Sequence, residues 1–173
     1  GILYMKDKWL DNFEPYQGGG SMIDTVHIDK TTFAKGFQKF EAGTPPIAQV
    51  IGLGASIDFV NSLNLSKIFQ HEKDLLNYTL DKLRSHNDIA IYGNHSNKGA
   101  IISFNIKGIH ANDLAMILDQ KNVAIRTGHH CAQPLMKYLN IVSSARASFG
   151  IYNNKNDADI FVNSLIEAKK FLL

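Results

Sequence analysis

Past residue 66 the apolar residues repeatedly change their period, and few folds accommodate that. Ile68, Phe69, Leu75, Leu76, Leu80 and Leu83 recur at helical spacing, which predicts a helix from an N-cap at Ser66 to about residue 85. Its other face, with His71, Glu72 and Lys73, reads as solvated. Residues 89–92 and 100–106 are β-prone runs, closed by Gly93-Asn94 and by Gly108. Helical spacing returns over residues 112–120, started by Asn112-Asp113 and burying Leu114, Ile117 and Leu118, and residues 123–126 form a third strand-like run. Ala145, Ala147 and Phe149 then alternate with Arg146 and Ser148, as on a strand with one buried face. A last helix is expected over residues 156–172, capped by Asn156-Asp157. Strands interleaved with helices in this way predict an α/β (α+β) domain, a small sheet covered by helices.

The first third is punctuated differently. The opening Gly1-Ile-Leu-Tyr-Met reads as a strand already in progress. Residues 11–20, with Gly18, Gly19 and Gly20, read as a loop; their spacing is not that of a P-loop. Residues 25–28 predict a short strand and residues 31–40 a turn or irregular piece. Gly43, Pro45 and Pro46 keep residues 40–46 out of regular structure. Residues 48–63 are apolar on most sides, with Gly52, Gly54 and Ala55, which predicts a buried, closely packed helix.

A chain of 173 residues with 45% hydrophobic content has ample core for one domain, or for a domain plus a remnant of another. A net charge of +2 makes no electrostatic case for nucleic acid or a lipid surface. One cysteine excludes an intrachain disulfide and suits a reducing compartment. No signal-peptide pattern or bilayer-length apolar run shows, so the chain reads as cytoplasmic, or organellar after loss of a transit peptide.

That cysteine, Cys131, sits in Arg126-Thr-Gly-His-His-Cys-Ala-Gln-Pro134, just past the third strand-like run. Gly128 permits a sharp turn and Pro134 interrupts regular backbone, so the thiol belongs on a loop at a strand end. A thiol beside a guanidinium and a protonatable histidine favours thiolate and hence reactivity. The bland alternative is a small buried cysteine with two surface histidines. Adjacent residues of an extended loop point to opposite sides, so at most one of His129 and His130 faces the thiol. His-His-Cys with no second cysteine is a poor metal site.

The Cys131 segment resembles the reactive-cysteine segment of SufS-type (group II) cysteine desulfurases, pyridoxal 5′-phosphate (PLP) enzymes of the class V aminotransferase group. Pro15-Tyr-Gln-Gly-Gly-Gly-Ser-Met-Ile23, Phe40-Glu-Ala-Gly-Thr-Pro45 and Ala145-Arg-Ala-Ser148, followed by Tyr152-Asn, resemble the same family in the same order. The resemblance implies the C-terminal portion of a fold-type I enzyme. Residues 1–46 would be the tail of the PLP-binding large domain, and residues 47–173 the small domain with its bridging helix. It implies Cys131 as the nucleophile that becomes a persulfide, Arg146 as the binder of the substrate carboxylate, and Arg126 as a second arginine near the thiol. It implies Thr44 as a contact to the PLP phosphate of a neighbouring subunit. Pro46 and Ile47 replace the polar pair that often follows in the family. The resemblance further implies L-cysteine as substrate, L-alanine as product, a sulfur-acceptor protein serving iron–sulfur cluster assembly, and a homodimer. The lysine that binds PLP as a Schiff base would precede Gly1, so this chain alone is expected to be inactive. Three alternatives stay open: a non-catalytic fragment, a sulfur-relay module without PLP, and selenocysteine lyase or cysteine sulfinate activity.

Overall fold

The computed structural model describes residues 1–93, 95 and 97–173, in two compact units, Gly1–Ser62 and Leu63–Leu173. Asn94, expected to help close a strand, lies outside the described residues. Among them, no helix is long and apolar enough to cross a membrane.

The first unit holds a short helix α1 (Asp7–Leu10), a hairpin of β1 (Ile23–Val26) and β2 (Thr31–Phe33), a 3-10 turn over Gly36–Phe40, and α2 (Ile47–Ser62). The strand expected at the N-terminus is not formed: residues 1–6 join no ladder, and Ile2, Leu3 and Tyr4 are exposed. A strand needs a neighbour to take its backbone hydrogen bonds, and this unit offers none there. Residues 31–40, expected to be irregular, contain β2 and the 3-10 turn. The polar Thr31-Thr32 pair obscured the strand, which is fixed by pairing with β1 and by the Thr25 amide donating to Thr32 Oγ1. Helix α2 forms where expected, but none of its residues is buried. Helical period and small residues told of a helix; burial depends on what packs against it.

Within the glycine run, Gly19 has a packing role. A Cβ on Gly19 would lie 3.1 Å from the Ala42 Cβ, and the Gly43 amide donates to the Gly20 carbonyl at 2.8 Å. Gly43 itself has φ +88°, a left-handed conformation suited to glycine. The Thr44 loop is thus held against the glycine run.

The second unit follows the predicted interleaving. Its order is α3 (Leu65–Arg84), β3 (Ile89–Tyr92), β4 (Ile101–Ile106), α4 (Ala111–Asp119), β5 (Arg126–Gly128), α5 (Gln133–Tyr138), β6 (Ser144–Ser148) and α6 (Lys155–Leu172). The sheet has the order β3-β4-β6-β5, with every neighbouring pair antiparallel. One face, with Ile102, Phe104, Ile106, Ala145 and Ala147, packs on Leu76, Leu80 and Leu83 of α3, Leu114 and Leu118 of α4, and Phe161 and Leu165 of α6. Phe104 and Phe161 meet edge to face at 5.9 Å between centroids.

Several element starts differ from expectation; those of three helices and of β5 have a clear cause. Asn64, not Ser66, caps α3 by accepting from the Lys67 amide. His110 caps α4 through Nδ1, and Asn154 caps α6 in a capping box with Asp157. In each case a polar side chain earlier in the chain had the reach to an orphan amide. The third strand begins at Arg126 rather than Val123, because only residues 126–128 find ladder partners on β6. Val123 and Ile125 instead pack against the edge of the core.

Candidate active site

The sheet face turned away from the core helices carries the chemistry. Its register aligns Tyr92, Ser103, Arg146 and Arg126 in one row across the four strands. Residues directly opposite in antiparallel strands project from the same face, so the two arginines are neighbours, an unfavourable pairing unless an anion lies between or beside them. Arg146 is half-buried, and its Nε is buried with no hydrogen-bond partner among the described residues. A guanidinium left with an unused donor is prepared for a carboxylate. Arg146, His130, Ser144, Ser103, Leu135 and Met136 help line a cavity of about 410 Å³.

Cys131 is exposed, on the loop that leaves β5. Gly128 has φ +112°, the sharp turn expected of it. The partner of the thiol is Arg126, whose Nη2 donates to Sγ at 3.7 Å. Neither histidine contacts the thiol by a hydrogen bond. His129 Nδ1 accepts from Gln133 Nε2 at 3.3 Å, while His130 Nε2 lies 3.0 Å from both the carbonyl and the Oγ of Ser144. The expectation assumed an extended loop, whereas His130 and Cys131 have positive φ; the hydrogen-bond partners of the two histidines are Gln133 and Ser144. Among the described residues no group of three or more His, Cys, Asp or Glu could hold a metal ion.

The Ser144 carbonyl only accepts, so His130 Nε2 carries a proton in this contact. Burial pushes His130 below the ordinary histidine range; the Ser144 hydrogen bond opposes this, and the charges of Arg146 and Arg126 add to the lowering. The unfolded ring, near pH 6.5, binds its proton more readily, so this preference for the neutral ring adds stability fully present above about pH 6.5 and lost as pH falls through the lower folded value. Lys169, Lys82 and Lys121 hold Asp88, Asp159 and Glu167 below the usual carboxylate range. Their contributions disappear only below about pH 4. We expect Tm to fall between pH 7 and pH 5 and the fall to shrink in His130→Asn; equal slopes in the two proteins would remove His130 as the cause.

Sequence reasoning missed two features here. The Arg126–Arg146 opposition follows from strand register, which two unconnected strands do not declare. The His130 tie to Ser144 spans 14 residues, and no local pattern marks it. Of the four residues singled out, Cys131, Arg126 and Arg146 come together in the second unit. Thr44 belongs to the first unit, where it is exposed.

A model of the family described as "Aminotransferase class-V" matches residues 1–161. The chain belongs to the class-V aminotransferase family. It is 44% identical over 171 residues to a probable cysteine desulfurase of Halalkalibacterium halodurans and 46% identical over 172 residues to one of Staphylococcus epidermidis. Both alignments cover 99% of this chain and 42% of the relative, so the chain spans well under half the length of these relatives. Among solved structures, the Escherichia coli cysteine desulfurase CsdA in its S-sulfonic acid form matches with a TM-score of 0.89 and 31% identity, over 98% of this chain and 42% of that one. The expected fold is therefore the observed one, an α+β portion of a fold-type I, PLP-dependent enzyme.

Thr44 is exposed on the loop held by the glycine run, where its hydroxyl would be open to a phosphate oxygen of PLP. No lysine is among the described residues lining the cavity beside Arg146.

Proposed function

We propose that this chain supplies the sulfur-accepting thiol and the substrate-carboxylate site of a SufS-type cysteine desulfurase. The overall change is L-cysteine plus the Cys131 thiol giving L-alanine plus a Cys131 persulfide. The observation that carries this reading is the meeting of an exposed thiol, a guanidinium 3.7 Å from it, and a second guanidinium opposite the first in the sheet. The identities to cysteine desulfurases support it.

In this scheme Arg146 takes the substrate carboxylate in a forked pair of hydrogen bonds and fixes the substrate's orientation. Arg126 stabilises negative charge on Cys131, which attacks the substrate sulfur. The S–S bond forms as the substrate Cβ–S bond breaks, and the carbon skeleton keeps that electron pair and is protonated to alanine. PLP, when bound, supplies the electron sink for this cleavage, and Thr44 would reach the phosphate of the PLP in the neighbouring subunit. The persulfide then passes to an acceptor protein for iron–sulfur cluster assembly. Residues 1–46 act as the tail of the large domain and α2 as the bridge, within a cytoplasmic homodimer.

The test is to complete the chain to the length of its relatives, add L-cysteine and a thiol reductant, and quantify sulfide and alanine. Equal amounts of both are expected; sulfide without alanine would sink the reading. The 173-residue chain by itself is expected to give neither above free PLP, because its Arg146 cavity shows no lysine among the described residues. Turnover by this chain that is lost in Cys131→Ala would overturn that expectation.

A further inference from the structure

The backbone that carries Cys131 is strained, and the strain identifies what holds it. The Ala132 amide donates to the His129 carbonyl at 2.9 Å, closing a four-residue turn whose central residues are His130 and Cys131. Both have positive φ, +55° and +59°. Two consecutive left-handed residues are the pattern of mirror-image turns, which select Asn-Gly or Gly-Gly because other side chains resist it. Neither residue here is glycine. Such a conformation persists only where the surroundings over-determine it.

One contact of the turn can supply that constraint. His130 Nε2 lies 3.0 Å from the carbonyl and the Oγ of Ser144, which is 1% exposed in β6. Ser144 pairs with Gly128 across the β5–β6 ladder, and Arg146 lies two residues farther along the same face. The ring therefore ties the cysteine turn to the strand that carries Arg146.

We propose that His130 is a positioning residue: its Nε2–H bond to Ser144 holds the strained turn so that Cys131 stays against Arg126 and in register with Arg146. The part of this that concerns substrate rests on the desulfurase reading; the tie itself does not.

The experiment is iodoacetamide alkylation of Cys131 at neutral pH in the 173-residue chain. With His130 in place, Arg126→Ala is expected to slow alkylation about threefold, as an exposed charge interaction allows. In the His130→Ala background the same substitution should change the rate by less than about 1.5-fold, since the pair loses its coupling. His130→Gln, which restores an Nε2–H donor at similar reach, should bring the Arg126 dependence back. Threefold dependence surviving in His130→Ala overturns the proposal. So does a wild-type chain with no Arg126 dependence, or a glutamine that fails to restore it. Should alanine not fold, His130→Asn is read in its place: it tolerates positive φ but falls short of Ser144. A general stability role would lower Tm without cancelling the Arg126 effect. Failure of cysteine turnover in the completed enzyme would remove the desulfurase reading and leave this coupling untouched.

Discussion

Arg146→Ala, made in a chain completed to the length of its relatives, is expected to lower kcat/KM for L-cysteine by about 30- to 1000-fold. Truncating one partner of a charge-assisted, partly buried pair costs about 2–4 kcal/mol, and each 1.36 kcal/mol is tenfold. The loss should fall mainly on KM, because the carboxylate is held in the ground state as well as during reaction. Folding should not suffer in proportion. Arg146 stands opposite Arg126, and its Nε bonds nothing among the described residues, so its removal relieves a like-charge pair. Tm is therefore expected to stay level or rise slightly. Arg146→Lys keeps the charge but not the fork, and should recover only part of the binding. An unchanged kcat/KM would remove Arg146 from the substrate site. A fall in Tm matching the loss of activity would assign it to the sheet instead.

Made in the same completed chain, Cys131→Ser should abolish sulfur transfer to residue 131, with a loss on the order of a hundredfold or more in desulfuration, at the low end of what losing a nucleophile costs. A serine hydroxyl fills the same exposed site and keeps the Arg126 contact, but it does not become a useful anion at neutral pH. Mass spectrometry after brief exposure to L-cysteine should show one added sulfur on the parent and none on the variant. Cys131 is the single cysteine of the 173 residues, so the label on this chain has one place to go. An added sulfur on Cys131→Ser, or full turnover without Cys131, would overturn the assignment.

Local physics explains which elements could be read in advance. Of the α3 stripe, Leu75, Leu76, Leu80 and Leu83 are buried while Ile68 is half-buried and Phe69 exposed, and the β6 alternation of Ala145 and Ala147 with Arg146 matches the observed burial. Each is a one-dimensional period that reports a buried face. Where a strand or burial expectation slipped, a partner distant in the chain decided. The β5 start moved to Arg126 because β6 provides ladder partners only for residues 126–128. The opening residues formed no strand because no ladder reached them, and α2 is exposed because period says nothing about what covers a helix. Helix caps slipped by a residue or two because several polar side chains competed for the same orphan amides.

The sequence by itself determined the helix and strand content beyond residue 66, the loop placement of Cys131 past a strand end, and the outward side of Arg146, because each depends on neighbours within a few residues. Tertiary structure alone decided that Arg126 and Arg146 face each other, that the thiol meets Arg126 rather than a histidine, and that His130 turns to Ser144. Those contacts depend on strand register and on a turn with two left-handed residues. Register is set by pairing between segments that are separated in sequence, and the strain of such a turn is tolerated only when the packed fold compensates for it.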